Sequence, residues 1–93
     1  MKKGKTGNYI RQKSGSTIRT YGQLIQKQSN GHYKALAVST RGSTLIDNKA
    51  KIRSTKGWYP DPEIIPRDQV PAEVLAKIDK RIDNDFNKMA RIV

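Results

Sequence analysis

Hydroxyl, glycine and basic residues occur together at three places in the chain, a combination suited to binding phosphate groups. The three clusters are Lys13-Ser14-Gly15-Ser16-Thr17 with Arg19-Thr20 following, Ser39-Thr40-Arg41-Gly42-Ser43-Thr44, and Arg53-Ser54-Thr55-Lys56-Gly57. Phosphate oxygens accept hydrogen bonds from Arg and Lys, from Ser and Thr hydroxyls, and from backbone N–H groups where glycine permits close approach. Solvated turns use the same residue types. Each cluster alone therefore has two interpretations, and the threefold recurrence favours phosphate binding.

Two short motifs resemble parts of catalytic sites. Gly4-Lys5-Thr6 matches the end of a phosphate-binding P-loop, which also requires an earlier glycine and a preceding strand. Asp47-Asn48-Lys49 matches half of a nuclease site, yet Asp47 is the only acid in residues 1–60, and such a site needs a second acid to hold its metal. Asp61 or Glu63 would have to approach it in space. A flexible arm and a turn pair are the better interpretations.

The other chemistry-bearing residues do not form a catalytic set. The chain contains no cysteine and a single histidine, His32, which lies in a predicted turn where we expect it to be exposed. Disulfides and cysteine-based zinc sites are therefore excluded. Asp79, Asp83 and Asp85 are interpreted as a solvated helix face, and no Asp–His pair is near a Ser or Thr to activate it. We expect a protein that is not an enzyme and has no metal or cofactor.

Positive charge is concentrated in the first two thirds of the chain. Residues 1–60 contain thirteen Lys or Arg and one acid, a net charge of +12, whereas residues 61–93 contain six bases and seven acids, a net charge of −1, which gives the total of +11. A charge of this size predicts the kind of partner, not the fold. With 93 residues and 34% hydrophobic content, we expect one domain with a small core. No apolar run approaches the roughly 18 residues of a membrane span, so we expect no membrane partner and a cytoplasmic or nucleoid-associated location.

Short β-prone runs separated by turn residues fill the region after the basic start. We predict a flexible basic arm over residues 1–7 and a basic β domain over 8–59. The predicted strands are 9–13, 17–20, 23–28, 33–39, 44–47 and 51–54, with turns at Ser14-Gly15, Gly22, Asn30-Gly31, Arg41-Gly42 and Asn48. Many short strands with frequent turns favour a barrel or a sandwich.

The hairpin around Asn30-Gly31 is the most specific local prediction, because Asn-Gly suits a type I′ turn. Closing that turn predicts a register in which four pairs face each other: Gln28 with Tyr33, Gln26 with Ala35, Ile25 with Leu36, and Leu24 with Ala37.

The seven residues 60–66 contain three prolines. We therefore predict that residues 60–70 form an extended connector without a regular ladder. A helix is predicted over 71–90, with Pro71 in its first turn. Its apolar residues recur at spacings of three and four and form one stripe that we expect to pack on the body. The stripe consists of Val74, Leu75, Ile78, Ile82, Phe86 and Met89. The helix is near neutral, and we expect no basic face on it.

The runs Tyr21-Gly22-Gln23-Leu24-Ile25, Asn30-Gly31, Tyr33-Lys34-Ala35-Leu36-Ala37-Val38 and Ala50-Lys51-Ile52-Arg53 resemble small SH3-like barrels. The texture of roughly residues 16–56 is similar to KOW modules and to the DNA-binding barrels of retroviral-type integrases. The resemblance implies a barrel of five or six antiparallel strands, a fold often used for nucleic-acid or protein contacts. The expected fold class is therefore mostly β with a C-terminal helix.

Aromatic residues lie between the cations, as in proteins that stack nucleic-acid bases. We expect Tyr33 and Trp58 to be largely buried, and Tyr9, Tyr21 and Tyr59 to be the stacking candidates. The predicted nucleic-acid-binding set consists of Lys2, Lys3, Lys5, Arg11, Lys13, Arg19, Tyr21, Arg41, Lys49, Lys51, Arg53, Lys56 and Tyr59.

Three functional classes fit this pattern. The first is a protein that binds the phosphate backbone of DNA or RNA with low sequence specificity. The second is a small regulator or inhibitor, of the kind that phages encode, docking on an acidic protein surface. The third is a component of a larger nucleoprotein assembly, such as a ribosome or a virion, in which basic arms become ordered on assembly. The oligomeric state and the choice between single and double strands are left open.

Overall fold

The computed structural model describes residues 4–28, 31–59 and 61–92, with residues 84–92 described by backbone alone. Its elements are β1 (Tyr9–Ser14), β2 (Thr17–Lys27), β3 (Tyr33–Arg41), β4 (Thr44–Leu45), β5 (Lys51–Ser54), β6 (Glu63–Ile65), a 3₁₀ helix (Arg67–Gln69) and α1 (Ala72–Ile92). The predicted class, mostly antiparallel β with a C-terminal helix, is confirmed. The sheet runs β4-β3-β2-β1-β6, with β5 also paired to β3, and it is open in the part of the chain described.

Strand β2 joins two predicted strands into one, because Gly22 is not a turn residue. Gly22 lies in the middle of β2, opposite Ala37 of β3. A Cβ atom added to it would lie 2.9 Å from the Leu36 carbonyl oxygen and 3.5 Å from Ile10 Cγ1. Glycine is therefore required here for the close approach of a neighbouring strand and not for chain reversal. The predicted turn at Gly22 is wrong.

The predicted register of the β2–β3 hairpin is also wrong. Tyr33 pairs with Lys27 in place of Gln28, and beyond an irregularity at Ile25 the shift grows, so that Ala35 pairs with Leu24. The extra residue of a β-bulge offsets every pair beyond it. Leu24 enters one core cluster and Ile25 packs against the other, as the alternation of side chains along a strand requires. Ser29 and Asn30, and with them the predicted turn type, lie outside the described residues.

The proline-rich segment forms a short edge strand, although we predicted no ladder there. Strand β6 pairs with β1, with Tyr9 opposite Ile65 and Arg11 opposite Glu63. The ladder fits between Pro62 and Pro66, where three consecutive residues retain their backbone N–H groups. Prolines are tolerated around a strand that pairs on only one side.

The segment predicted as a flexible arm is bonded to the sheet over the part that the structure describes. The Gly7 N–H donates to the Leu24 carbonyl at 2.7 Å, and the Leu24 N–H donates to the Asn8 carbonyl at 2.8 Å. The Tyr33 hydroxyl donates to the Gly4 carbonyl. Residues 4–8, which precede β1, thus lie against β2. Lys2 and Lys3 lie outside the described residues.

Two core clusters occupy the two faces of the sheet. The first joins Tyr21, Leu36 and Val38 to Val74 and Ile78 of α1. The second contains Ile10, Leu24, Tyr33 and Ala35, with Trp58 packed against it. Alternate residues of a strand point to opposite faces, so α1 covers one face and leaves the other to the second cluster.

Helix α1 confirms the predicted helix, with its first residue at Ala72. Val74 and Leu75 both donate to the Pro71 carbonyl at 3.0 Å, so Pro71 precedes the helix and caps it through its backbone. Val74 and Ile78 are fully buried, whereas Ile82 is 42% exposed. Phe86 and Met89, the end of the predicted stripe, lie where only the backbone is described. No helix in the described residues has the length and apolar composition needed to cross a bilayer.

Candidate functional site

The sheet face opposite α1 carries a depression of about 480 Å³ that we call the arginine depression. Its lining consists of Gln12, Thr17, Arg19, Thr20, Ser39, Thr40, Arg41, Ile46, Arg53, Gly57, Trp58 and Tyr59. Members of all three hydroxyl, glycine and basic clusters thus meet at one place. A volume of this size is within the range of sites that hold small ligands or parts of larger ones.

A β-bulge directs Arg19 into the depression. Gln12 pairs with Thr20 and Lys13 pairs with Ile18, which leaves Arg19 as the extra residue of β2. Bulges change the direction of the side chains that follow them. Ile18 packs against the first core cluster on the α1 side, while Arg19 and Thr20 both line the arginine depression.

The other two arginines come from neighbouring strands. Arg53 lies on β5 opposite Ala35, a residue of the second core cluster, and therefore shares its face. Arg41 ends β3, where it pairs with Thr44. None of the described residues that line the depression is Asp or Glu. Within the described residues, no ion pair involves Arg19, Arg41 or Arg53. Their charges therefore add to a local positive potential that attracts anions.

Trp58 and Tyr59 form one side of the depression, which we call the aromatic wall. A tight turn leads into it. The Trp58 N–H donates to the Thr55 carbonyl at 3.1 Å, and Gly57 has φ of +83°, as the third position of a type II turn requires. Thr55 fixes this turn to β3, because its hydroxyl accepts from the Tyr33 N–H at 3.0 Å and its own N–H donates to the Tyr33 carbonyl at 2.7 Å. Trp58 is half-buried, not largely buried as predicted. Tyr59 is 93% exposed.

Tyr9 and Tyr21 were predicted as stacking candidates, and the structure contradicts both assignments. They are 8% and 5% exposed and belong to the first core cluster. The Tyr9 hydroxyl accepts a hydrogen bond from Arg67, whose guanidinium lies 5.4 Å from the centre of the Tyr9 ring. A small core with few large apolar residues uses these rings for packing. Tyr33, predicted to be buried, is 2% exposed.

Arg11, which belongs to the predicted nucleic-acid-binding set, forms an ion pair with an acid from the last third of the chain. Its guanidinium lies 2.8 Å from Glu63 Oε1, across the β1–β6 ladder. The hydrogen bond to Glu63 raises the pKa of Arg11 above its ordinary value. In the same way, Arg67 pairs with Asp79 at 3.2 Å, and this hydrogen bond raises the pKa of Arg67. The Arg11–Glu63 pair connects the C-terminal third to β1, whereas the Arg67–Asp79 pair joins the 3₁₀ helix to α1 within that third.

The predicted lysines do not join the arginines. Lys5, Lys13 and Lys56 are exposed and do not line the depression. Lys51 lies 3.9 Å from Asp47, whose carboxylate accepts from the Ser39 N–H at 2.8 Å. Asp47 is therefore engaged in holding the loop after β4.

Lys49 faces α1, on the other side of the molecule. It shares a cleft of about 460 Å³ with Lys77, Lys80 and Arg81, although we expected no basic face on the helix. Lys77 donates to the Asn48 carbonyl at 3.0 Å and Arg81 to the Ala50 carbonyl at 3.2 Å. The cations of the described residues thus form separate groups, and the arginine depression also contains the half-buried Trp58 and the exposed Tyr59.

The site includes residues that the sequence did not single out for binding. Gln12 is two positions from Ile10 on β1, and strand alternation assigns both to one face. Ile46, 56% exposed, follows β4, where its N–H donates to the Ser39 carbonyl at 2.9 Å. Trp58 was assigned to the core alone. His32, expected to be exposed, is half-buried.

Comparisons with protein-family models, with curated proteins and with solved structures find no match to this chain.

Proposed function

We propose that the chain is a non-enzymatic nucleic-acid-binding protein that grips the phosphate backbone with low sequence specificity. One observation carries the proposal. Arg19, Arg41 and Arg53, from three different strands, line one depression that has no acidic residue in its described lining. Arg is the side chain best suited to phosphate, because its planar guanidinium donates two parallel hydrogen bonds.

Low specificity follows from the type of surface. Thr17 and Ser39 add hydroxyl donors beside the arginines, and contacts from such groups to phosphate position a strand without reading its sequence. Helix α1 packs against the opposite face of the sheet, so it is not placed to act as a recognition helix in a groove.

We also propose that the fold is of the SH3-like type that the sequence resembles. Strand β3 pairs with β2 along one edge and with both β4 and β5 along the other, and β2 carries two irregularities of the kind that bend small sheets. Strand pairing of this kind is compatible with an SH3-like barrel.

The test compares two variants that remove one positive charge each. Arg53→Ala takes a guanidinium from the depression, whereas Lys80→Ala takes an exposed charge from α1. Binding of a fluorescent oligonucleotide is followed by anisotropy at one fixed salt concentration. We expect Arg53→Ala to weaken binding roughly tenfold, since a hydrogen bond to a charged group contributes about 1.5 kcal/mol, and Lys80→Ala to change it less than about twofold.

Absence of binding at low salt would refute the proposal. Equal losses for both variants would refute the location of the site. A partner captured from cell extract that is retained after complete nuclease digestion would favour docking on an acidic protein.

A further inference from the structure

We infer that the arginine depression takes single-stranded nucleic acid, with a base stacked on the Tyr59 ring beside Trp58. This inference rests on the proposed function and specifies its ligand. The observation behind it is that two aromatic side chains share one concave surface with three guanidinium groups that form no ion pair with any described residue. Single strands require this combination of a stacking platform and a clamp on the backbone.

The two aromatic residues differ in how they are held. Trp58 is half-buried, because it packs against the second core cluster and also lines the depression. Tyr59, the next residue, is 93% exposed, so its ring contributes almost nothing to the core. The turn anchored by Thr55 ends at Trp58 and fixes the backbone from which Trp58 projects, and Tyr59 follows directly in the chain. A rigid attachment lowers the conformational entropy that is lost when a ligand binds.

Duplex nucleic acid fits this arrangement poorly. In a duplex each base is already stacked on its neighbours, and only phosphates, sugars and base edges are accessible. The face of Tyr59 gains no partner from such a ligand. A single strand presents base faces and phosphates together, so the aromatic wall and the arginines can contact it at the same time.

The chain itself supplies the reporter, because Trp58 is its one tryptophan. We would titrate the full chain with a thymidine oligonucleotide, a uridine oligonucleotide, and a hairpin duplex carrying the same number of phosphates. Tryptophan fluorescence and the anisotropy of labelled probes would both be recorded. The variants are Tyr59→Ala, and Tyr59→Phe as the control that keeps the ring.

We expect the single strands to quench Trp58 fluorescence in a saturable way. Tyr59→Ala should weaken single-strand binding by about 5- to 150-fold, the factor that one stacked base contributes, and leave duplex binding within about twofold. Tyr59→Phe should bind like the original chain. The thymidine and uridine arms show whether DNA or RNA is preferred.

Two results would overturn the inference and leave the proposed function standing. One is duplex binding as tight as single-strand binding, and the other is single-strand binding that Tyr59→Ala does not change. If neither ligand binds at low salt, the proposed function and the inference fail together. Because Tyr59 is almost fully exposed, its substitution leaves the core intact, and circular dichroism of each variant verifies this.

Discussion

At the scale of single residues, Thr55 connects the fold to the candidate site. It is 4% exposed, and its backbone and hydroxyl both bond to Tyr33, at 2.7 and 3.0 Å. Its carbonyl accepts from the Trp58 N–H at 3.1 Å. One residue, through its backbone and its side chain, therefore fixes the start of the turn that leads into the aromatic wall.

Thr55→Val removes the hydroxyl while keeping the branched shape. We expect the free energy of unfolding to fall by about 1–3 kcal/mol, because the buried Tyr33 N–H loses its acceptor. Guanidinium denaturation measures the loss, and hydrogen exchange of the Tyr33 amide locates it. Thr55→Ser retains the oxygen and should leave that exchange rate unchanged. Equal acceleration in both variants would show that the hydrogen bond is not what protects this amide.

The residue scale is also where the limits of prediction from sequence are clearest. Residue type placed Arg19, Arg41, Arg53 and Tyr59 among the candidates, and the structure brings these four to one depression. Residue type placed Lys13 and Lys56 in the same set, although neither lines the depression. It failed for Tyr21, because a tyrosine beside cations is equally suited to a core or to a stacking site, and only tertiary packing decides between them. Arg11 could not be excluded either, since its partner Glu63 lies 52 positions away in the sequence.

At the scale of elements, strand β2 contains the features that turn signals did not reveal, namely a glycine in its interior and two irregularities of register. Strand boundaries were predicted within a few residues for β1, β3 and β5. Register was not, because two irregularities in β2 each insert a residue that hydrophobic alternation does not reveal. One of these inserted residues is Arg19. The bulge that makes the register hard to predict therefore also places an arginine in the candidate site.

Gly22→Ala tests the close approach of β2 and β3. The new methyl would lie 2.9 Å from the Leu36 carbonyl oxygen, a backbone atom held in the sheet, so we expect a loss of about 1–3 kcal/mol. For a domain of this size that lowers Tm by about 4–8 °C per kcal/mol, which calorimetry measures.

Gly4→Ala is the matched control for this substitution. Its methyl would also lie 2.9 Å from a neighbour, but that neighbour is the terminal Cδ1 atom of the Leu24 side chain and not a backbone atom. We expect a loss less than half as large. If Gly4→Ala costs as much as Gly22→Ala, backbone contact is not the reason for the glycine in β2.

At the scale of the whole molecule, the positive charges of the described residues lie in separate groups and not on one continuous surface. The C-terminal third contributes Glu63, which pairs with Arg11 of β1, and Asp79, which pairs with Arg67 of the same third. Lys49 joins the cations of α1. What is left at the arginine depression is a small part of the net charge of +11. Placement, and not total charge, should therefore determine affinity for a nucleic acid.

Two triple variants with the same net charge separate these effects. One replaces Arg19, Arg41 and Arg53 by Ala, and the other replaces the exposed Lys13, Lys49 and Lys80, none of which lines the depression. Each removes three positive charges from the total of +11. For single strands, the slope of log K against log salt is about −0.7 per neutralised phosphate. We therefore expect the original chain to show a slope of at least about −2, and the arginine triple to lose about 2 units of it. The lysine triple should keep nearly all of the slope, as measured by anisotropy titrations over a range of sodium chloride concentrations. Equal slopes for the two triples would mean that diffuse charge, and not the depression, holds the strand.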